Sequence, residues 1–155
     1  MTSAAGTGRS PIVRPAMESD YQAVVELLRD AGLPLAGVPR SLTDFYVAEE
    51  RGTVLGAVGL EVHGGDGLLR SAVVHPTARG TGIGLTLVDR ILRHARERGL
   101  GAVYLLTTTA ESYFPRFGFS RIAREAVPDP VKASVEFREA CPASAVAMRR
   151  PVSDG

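Results

Sequence analysis

The sequence predicts one α/β domain, of the mixed α+β kind, in which a central mixed β-sheet is flanked by helices. Two observations predict this class. Two hairpin patterns occupy the first half of the chain, and a strand–helix–strand unit follows them. The length of 155 residues suits one domain with a sizeable core. We expect that domain to span 11–150, with disordered tails at 1–10 and 151–155.

The first half of the chain predicts one helix and four strands. Apolar residues recur at helical spacing from Glu18 to Ala31, and Gly32 ends the pattern. The segments "FYVAEE" and "TVLGAVGLEVH" are joined by "RG", which predicts a hairpin, and "GGDG" predicts a second turn. In chain order we expect a strand at 11–16, a helix at 18–31, a loop at 32–44, and strands at 45–50, 53–63 and 68–76.

The second half begins with a long amphipathic helix, which starts near Ile83 and is ended by Gly99. A buried strand, "AVYLLTTT", comes next. The remaining expectations are a short helix over 110–117, a strand over 118–124, an irregular segment over 127–137 and a last strand over 144–150.

Composition excludes several classes of protein. The formal net charge is +1 and the chain has no basic-aromatic stripe, so we expect no nucleic-acid partner. No apolar run approaches the ~20 residues of a membrane span, so we expect no membrane partner. The single cysteine, Cys141, excludes a disulfide within the chain and favours a cytoplasmic protein.

A glycine-rich loop precedes the long helix, with glycines at Gly80, Gly82 and Gly84. Such a loop at a helix N-terminus can cradle a phosphate on backbone N–H groups, or it can merely pack a strand against a helix. Two nucleotide motifs fail. A P-loop requires Lys-Ser/Thr where Leu85-Thr86 stands, and a dinucleotide fingerprint requires glycine at position 85.

A third motif fits. "VVHPTARGTGIGLTLV" resembles the acyl-CoA-binding segment of the GNAT N-acetyltransferase superfamily, whose core is Arg/Gln-x-x-Gly-x-Gly/Ala. The segment "TTTAESYFPRFGF" resembles a second family motif at Ala110, Gly118 and Phe119. The resemblance covers about 11–150, and it implies the GNAT acyl-CoA N-acyltransferase fold.

The resemblance implies acetyl-CoA as co-substrate and no metal. It places the coenzyme's pyrophosphate on the loop and its pantetheine arm on the preceding strand. The implied coenzyme-binding residues are Val73, Val74, Arg79, Gly80, Thr81, Gly82, Ile83, Gly84 and Thr107, the last standing where the family has asparagine.

The resemblance also implies direct transfer of an acetyl group from the thioester to a primary amine. A backbone N–H of Val73 or Val74 would stabilise the oxyanion, and Val74 is our choice. The family's usual acid is a tyrosine four residues before the glycine of Gly-Phe, where this chain has Phe114. Tyr113 stands next to it and is our candidate acid, although neighbouring helical residues point ~100° apart.

Two charged residues on the second hairpin are candidates for the acceptor amine. Arg70 lies inside an apolar strand, where an unpaired charge is costly. It would bind an acceptor's anionic end beside Ser71, and Glu61 would hold or deprotonate the amine. The alternative is a structural pair between Glu61 and Arg70.

Several segments, among them "LLRSAVVHP" and "YLLTTTAE", resemble the GNAT branch encoded with arsenic-resistance genes. This resemblance implies detoxification of an amino-acid-like amine or an arsenical by acetylation. One cysteine cannot supply the several thiolates that arsenite prefers, so Cys141 is more simply a buried cysteine. We expect a monomer or homodimer. The alternative function is a CoA-binding module without turnover, which Phe114 suggests.

Overall fold

The computed structural model describes residues 11–134, 137 and 144–152, so Cys141 lies outside the described residues. Seven strands form one sheet: β1 (Ile12–Pro15), β2 (Phe45–Glu50), β3 (Thr53–His63), β4 (Asp66–Val74), β5 (Ala102–Thr107), β6 (Ser120–Ile122) and β7 (Val146–Pro151). Three α-helices accompany it: α1 (Tyr21–Asp30), α2 (Ile83–Glu97) and α3 (Asp129–Lys132). Short 3₁₀ turns cover Glu18–Asp20, Pro76–Ala78, Phe114–Phe117 and Arg124–Ala126.

The sheet is mixed, with strand order β1-β2-β3-β4-β5-β7-β6. The pair β4–β5 is parallel and the other neighbours are antiparallel. The helix α2 is the crossover that makes a parallel pair possible. This architecture confirms the predicted fold class.

The two long helices cover opposite faces of the sheet. Strand side chains alternate between faces, so Tyr46 packs with α2 on one face while Phe45 and Val47 pack with α1 on the other. The third helix, α3, packs through Val131 in a separate cluster against Leu68, Tyr104 and Ala147. This third cluster fixes the position of the residues that follow α3 directly.

The strands β4 and β5 pair only at their beginnings. The paired positions are Gly67 with Val103 and Leu68 with Tyr104, after which the two strands separate. On its other edge β4 carries a bulge, because Ala57 pairs with Val73 whereas Gly59 pairs with Arg70. A β-bulge bends its strand, so the irregular half of β4 diverges from β5 and leaves a gap in the sheet.

Three expectations from the sequence need correction. The strand β7 reaches Pro151, and the buried Val152 directly after it donates its N–H to Gly101 O at 3.0 Å, so the ordered fold extends two residues beyond the boundary expected at 150. The short helix expected over 110–117 is reduced to a 3₁₀ turn at its end. The segment expected to be irregular contains α3. Within the described residues, no helix is long and apolar enough to cross a membrane.

Candidate active site

The glycine loop forms one wall of a cleft at the start of α2. Gly80 and Gly82 have φ values of +82° and +90°, a conformation that favours glycine. Gly82 is the N-cap, so the first N–H groups of α2 lack intrahelical acceptors. A cleft of about 400 Å³ opens here, which we call the loop cleft; it is lined by Val74, Ala78, Arg79, Gly80, Gly82, Ile83, Gly84, Leu85, Tyr113 and Arg116.

Five of the six residues predicted for phosphate binding line this cleft. The exception is Thr81, which lines a different cleft beside the β2–β3 turn, and its hydroxyl donates to Ala78 O. Arg79 and Arg116 are the two cations among the described lining residues. Helix dipole, free N–H groups and guanidinium charge all favour an anion in this cleft.

The gap between β4 and β5 exposes the backbone amide of Val74. His75 donates its N–H to Leu55 O in β3 at 2.7 Å. Val74, the residue before His75, is the register partner of Gly56. Backbone groups alternate sides along an antiparallel pair, so Val73 N–H points to β3 and Val74 N–H points into the gap. Arg79 Nε donates to Val74 O at 3.3 Å, which agrees with this direction. The sequence left two candidate donors to the oxyanion, the N–H groups of Val73 and Val74. Of these two, only that of Val74 faces the gap.

A second cleft, which we call the strand cleft, lies between the separated strands and has a volume of about 200 Å³. Residues 69–72 of β4 form one side, residues 105–107 of β5 the other, and Leu33, Pro34, Thr109, Ala110, Tyr113 and Phe114 complete it. Arg70 is the one charged side chain in this described lining. Ser71 has a φ of +60°, which marks the bulge.

Tyr113 belongs to both clefts. A Cβ atom on Gly84 would lie 3.1 Å from the Tyr113 hydroxyl, so that oxygen packs directly against the start of α2. Burial raises the pKa of Tyr113, and the Arg116 guanidinium, 4.5 Å from the ring centroid, partly opposes that increase. Tyr113 therefore keeps its proton at neutral pH. Phe114, whose ring lies against that of Tyr113, is buried in the core and also packs with Phe119.

Glu61 and Arg70 form an ion pair on one face of the hairpin. Arg70 Nη1 donates to Glu61 Oε2 at 2.7 Å and Arg70 Nε donates to Ser71 Oγ at 3.0 Å; the Arg70 side chain is 0% exposed. The other oxygen, Glu61 Oε1, accepts from Ser134 Oγ at 2.7 Å and lies 2.7 Å from His63 Nε2. Nothing in the local sequence pattern indicated Ser134 or His63.

This geometry corrects the expected role of Glu61. Its carboxylate is outside the described lining of the strand cleft. Burial alone would raise the pKa of Glu61, but hydrogen bonds from His63, Arg70 and Ser134 outweigh burial and hold it below its ordinary value. A carboxylate with a lowered pKa and three partners is a poor proton acceptor. Glu61 therefore fits a supporting role behind Arg70.

Thr107 also differs from its expected role. Its Oγ accepts N–H groups from Ala110 at 2.9 Å and Thr109 at 3.3 Å, so it stabilises the turn that ends β5. It lines the strand cleft and is not among the described residues of the loop cleft. Across the part of the chain that the structure describes, no group of His, Cys, Asp and Glu could hold a metal ion.

Comparison with known proteins shows the family that the sequence motifs resemble. A family model described as an acetyltransferase (GNAT) domain matches residues 41–121. An amino-acid acetyltransferase of Mycobacterium tuberculosis is 37% identical over 141 residues, which cover 84% of this chain and 78% of that protein. An IAA acetyltransferase of Azospirillum brasilense is 45% identical over 65 residues, which cover 41% of this chain and 42% of that protein.

Two solved structures share the fold. The M. tuberculosis protein Rv2747, in complex with CoA and NLQ, has a TM-score of 0.78 and 28% identity, and the match covers 91% of this chain and 99% of that one. The N-acetylglutamate synthase of Neisseria gonorrhoeae, complexed with coenzyme A and N-acetyl-glutamate, also has a TM-score of 0.78. Its identity is 20%, and the match covers 92% of this chain but 35% of the synthase, so it shows the fold alone.

The loop cleft supplies the first testable prediction. Gly82→Glu places a carboxylate where the coenzyme's phosphates would lie, so CoA affinity measured by titration calorimetry should fall by about 30-fold or more, equivalent to ~2 kcal/mol. Gly52→Glu is the matched control, because Gly52 also has a positive φ (+81°) and no atom lies within 4 Å of the position that a Cβ would take there. Equal CoA affinity in a folded Gly82→Glu protein would contradict the assignment.

Proposed function

Because the chain belongs to the GNAT acetyltransferase family, whose co-substrate is acetyl-CoA, we propose that it acetylates the primary amine of a small amino-acid-like molecule. One observation carries the proposal: Arg70 is the one charged residue in the described lining of a small cleft between the separated strands. Cytoplasmic location and a monomeric or homodimeric state stay predictions from the sequence.

In this proposal the coenzyme runs from the loop cleft into the gap. The pyrophosphate binds the backbone of residues 79–84 at the N-terminus of α2, with Arg79 and Arg116 at the cleft's walls. The pantetheine arm follows Val73 and Val74 on β4, where the edge facing β5 is unpaired. Its thioester then lies where the loop cleft and strand cleft meet.

Two groups act on the reacting atoms. The acceptor amine attacks the thioester carbonyl, and Val74 N–H donates a hydrogen bond to the oxyanion that forms. As the carbon–sulfur bond breaks, Tyr113 donates its proton to the leaving thiolate. The amine nitrogen loses one proton to solvent water, and Tyr113 regains one proton from the same solvent. Support for Tyr113 comes from its hydroxyl's position beside Gly84 and from its membership of both clefts.

The acceptor lies in the strand cleft with its carboxylate toward Arg70 and its amine toward the gap. A guanidinium is the side chain best suited to a planar carboxylate, and the Ser71 hydroxyl adjoins it. The cleft's volume of about 200 Å³ suits a single amino acid. The names of the relatives support this substrate class, since the M. tuberculosis relative is an amino-acid acetyltransferase.

Two hypotheses from the sequence remain as proposals of lower rank. The arsenic-resistance branch, with an arsenical acceptor, stays a prediction that rests on the resemblance of segments alone. A CoA-binding module without turnover rested on Phe114, and the position of Tyr113 in both clefts favours the enzyme.

The role of Arg70 is tested with a double variant. Removing Arg70 alone would leave the half-buried Glu61 carboxylate without its charged partner, at a cost below the ~3–5 kcal/mol of a fully buried pair. The variant Glu61→Gln/Arg70→Gln removes both charges together. Its KM for amino acids should rise about tenfold or more, while its CoA affinity and its rate with the matching decarboxylated amines stay within about twofold. Thiol release measures each rate.

The decarboxylated amines serve as the control, since they lack the group that Arg70 would bind. A double variant that keeps the wild-type preference for amino acids over these amines would contradict the carboxylate site. Wild-type protein that binds CoA but releases no thiol with any amine would favour the binding module.

The role of Tyr113 is tested by Tyr113→Phe, which removes the hydroxyl and keeps the ring. We expect kcat to fall by ~10- to 100-fold, at the lower end of general-acid effects, because a thiol pKa near ~8.5 makes thiolate a tolerable leaving group. Acetyl-CoA affinity should not change. Tyr21→Phe is the control. Tyr21 is the first residue of α1, its ring contacts the Arg40 guanidinium, and it is outside the described lining of both clefts. A Tyr113→Phe enzyme with wild-type kcat would show that the Tyr113 hydroxyl does not act as the general acid.

A further inference from the structure

Arg70 is held from behind by a cluster of side chains that we call the support cluster: Glu61, His63 and Ser134. All three lie outside the described lining of the strand cleft. Each Glu61 oxygen is occupied, Oε2 by Arg70 and Oε1 by Ser134 and His63, with all three distances at 2.7 Å. Arg70 is a lining residue of the strand cleft, and the support cluster is connected to that cleft through Arg70.

Ser134 reaches this cluster from a distant part of the chain. It is separated from Glu61 by 73 positions and is 3% exposed. Its N–H donates to Val131 O at 3.0 Å, and Val131 is fully buried in the cluster that packs on β4 and β5. On the hairpin side, a Cβ on Gly64 would touch the Pro130 ring at 3.4 Å. Close packing of α3 on the sheet therefore sets where the Ser134 hydroxyl lies.

Energetics explain why the hydroxyl matters. A half-buried carboxylate needs hydrogen bonds to each oxygen, and a buried guanidinium needs a fixed counter-charge. Ser134 fixes the Glu61 oxygen that Arg70 Nη1 does not use, so it limits rotation of the carboxylate. A carboxylate that cannot rotate holds Arg70 Nη1 in one direction, and the acceptor site depends on that direction.

We propose that Ser134, with His63, is a positioning residue for the acceptor. Through Glu61 it orients Arg70, so α3 and Ser134 help to determine which acceptor the enzyme binds. The inference rests on the proposed function, since it assumes that Arg70 binds the acceptor. It adds a residue from the third packing cluster, which neither the glycine loop nor the strand pattern indicates.

The test compares Ser134→Ala, Ser134→Thr and Ser120→Ala. Ser120 is exposed on β6 and serves as the matched control. Ser134→Ala should raise the amino-acid KM by about three- to tenfold with kcat and CoA affinity unchanged, and Ser134→Thr, which restores a hydroxyl, should recover at least half of that loss. A lower melting temperature with an unchanged KM would overturn the proposal.

A spectroscopic readout separates this inference from the proposed function. In protein with ¹⁵N-labelled arginine, the Nε–H signal of Arg70 is assigned by its loss in Arg70→Lys. That signal should shift and exchange faster with solvent in Ser134→Ala but not in Ser120→Ala, whether or not any amino acid is acetylated. An unchanged Arg70 signal in Ser134→Ala would overturn the proposal. If the signal changes but the wild-type protein acetylates no amino acid, Ser134 still positions Arg70 and the proposed function is wrong.

His63→Ala provides a second variant if Ser134→Ala does not fold. His63 is more exposed, with 26% of its side chain accessible, and it hydrogen-bonds the same Glu61 oxygen. We expect an increase of about two- to fivefold in the amino-acid KM and a shift of the same Arg70 signal. A wild-type KM and an unshifted signal in this variant would count against the proposal.

Discussion

The separation of β4 from β5 is the constraint on which the rest of the structure depends. A sheet normally pairs its backbone groups along the full length of its strands, because unpaired polar groups are costly when buried. Here the parallel pairing stops after Leu68 and Tyr104, and β4 continues to Val74 with one edge unpaired. That edge can be satisfied by an extended, amide-containing ligand, which is the chemical nature of the pantetheine arm. In the proposed function the gap is therefore the place where the pantetheine arm binds.

The bulge in β4 produces several features of the site together. It places Ser71 in a left-handed conformation, and it shifts the register so that Val74 directs its N–H into the gap. Such strained backbone conformations persist where the surrounding packing enforces them, and they concentrate at functional sites. The loop cleft and the strand cleft then meet at Tyr113. One irregularity in one strand thus brings together the glycine loop, the amide of Val74 and the strand cleft, which are the parts that the proposed function uses.

The sequence predicts the features of this protein that depend on local pattern. Both hairpins, the glycine loop and α2 follow from turn residues and apolar periodicity, and the structure has them within a few residues of the expected bounds. The sequence places Glu61 and Arg70 on the same hairpin with a structural pair as one of two alternatives, and the structure shows their side chains in contact across neighbouring register positions. These features required no knowledge of how distant segments pack.

Features set by long-range packing could not be predicted in the same way. Tyr113 stands directly before a 3₁₀ turn, Phe114–Phe117, where the sequence predicts a longer helix, and this difference in backbone changes the direction of its side chain relative to Phe114. The contact of Ser134 with Glu61 depends on the docking of α3, across 73 positions of sequence. The supporting role of Glu61 became visible only with its three partners in place.

In the proposed complex, the thioester of acetyl-CoA lies in the gap with its carbonyl oxygen toward Val74. Amide NMR spectra of the protein with CoA and with acetyl-CoA test this directly, because the two ligands differ only in the acetyl group. We predict that the amide proton of Val74 resonates further downfield in the acetyl-CoA complex than in the CoA complex. The amide signal of Val73, whose N–H points to β3, should change little between the two complexes. Equal Val74 signals in both complexes, with the main difference at residues outside the gap, would contradict this placement.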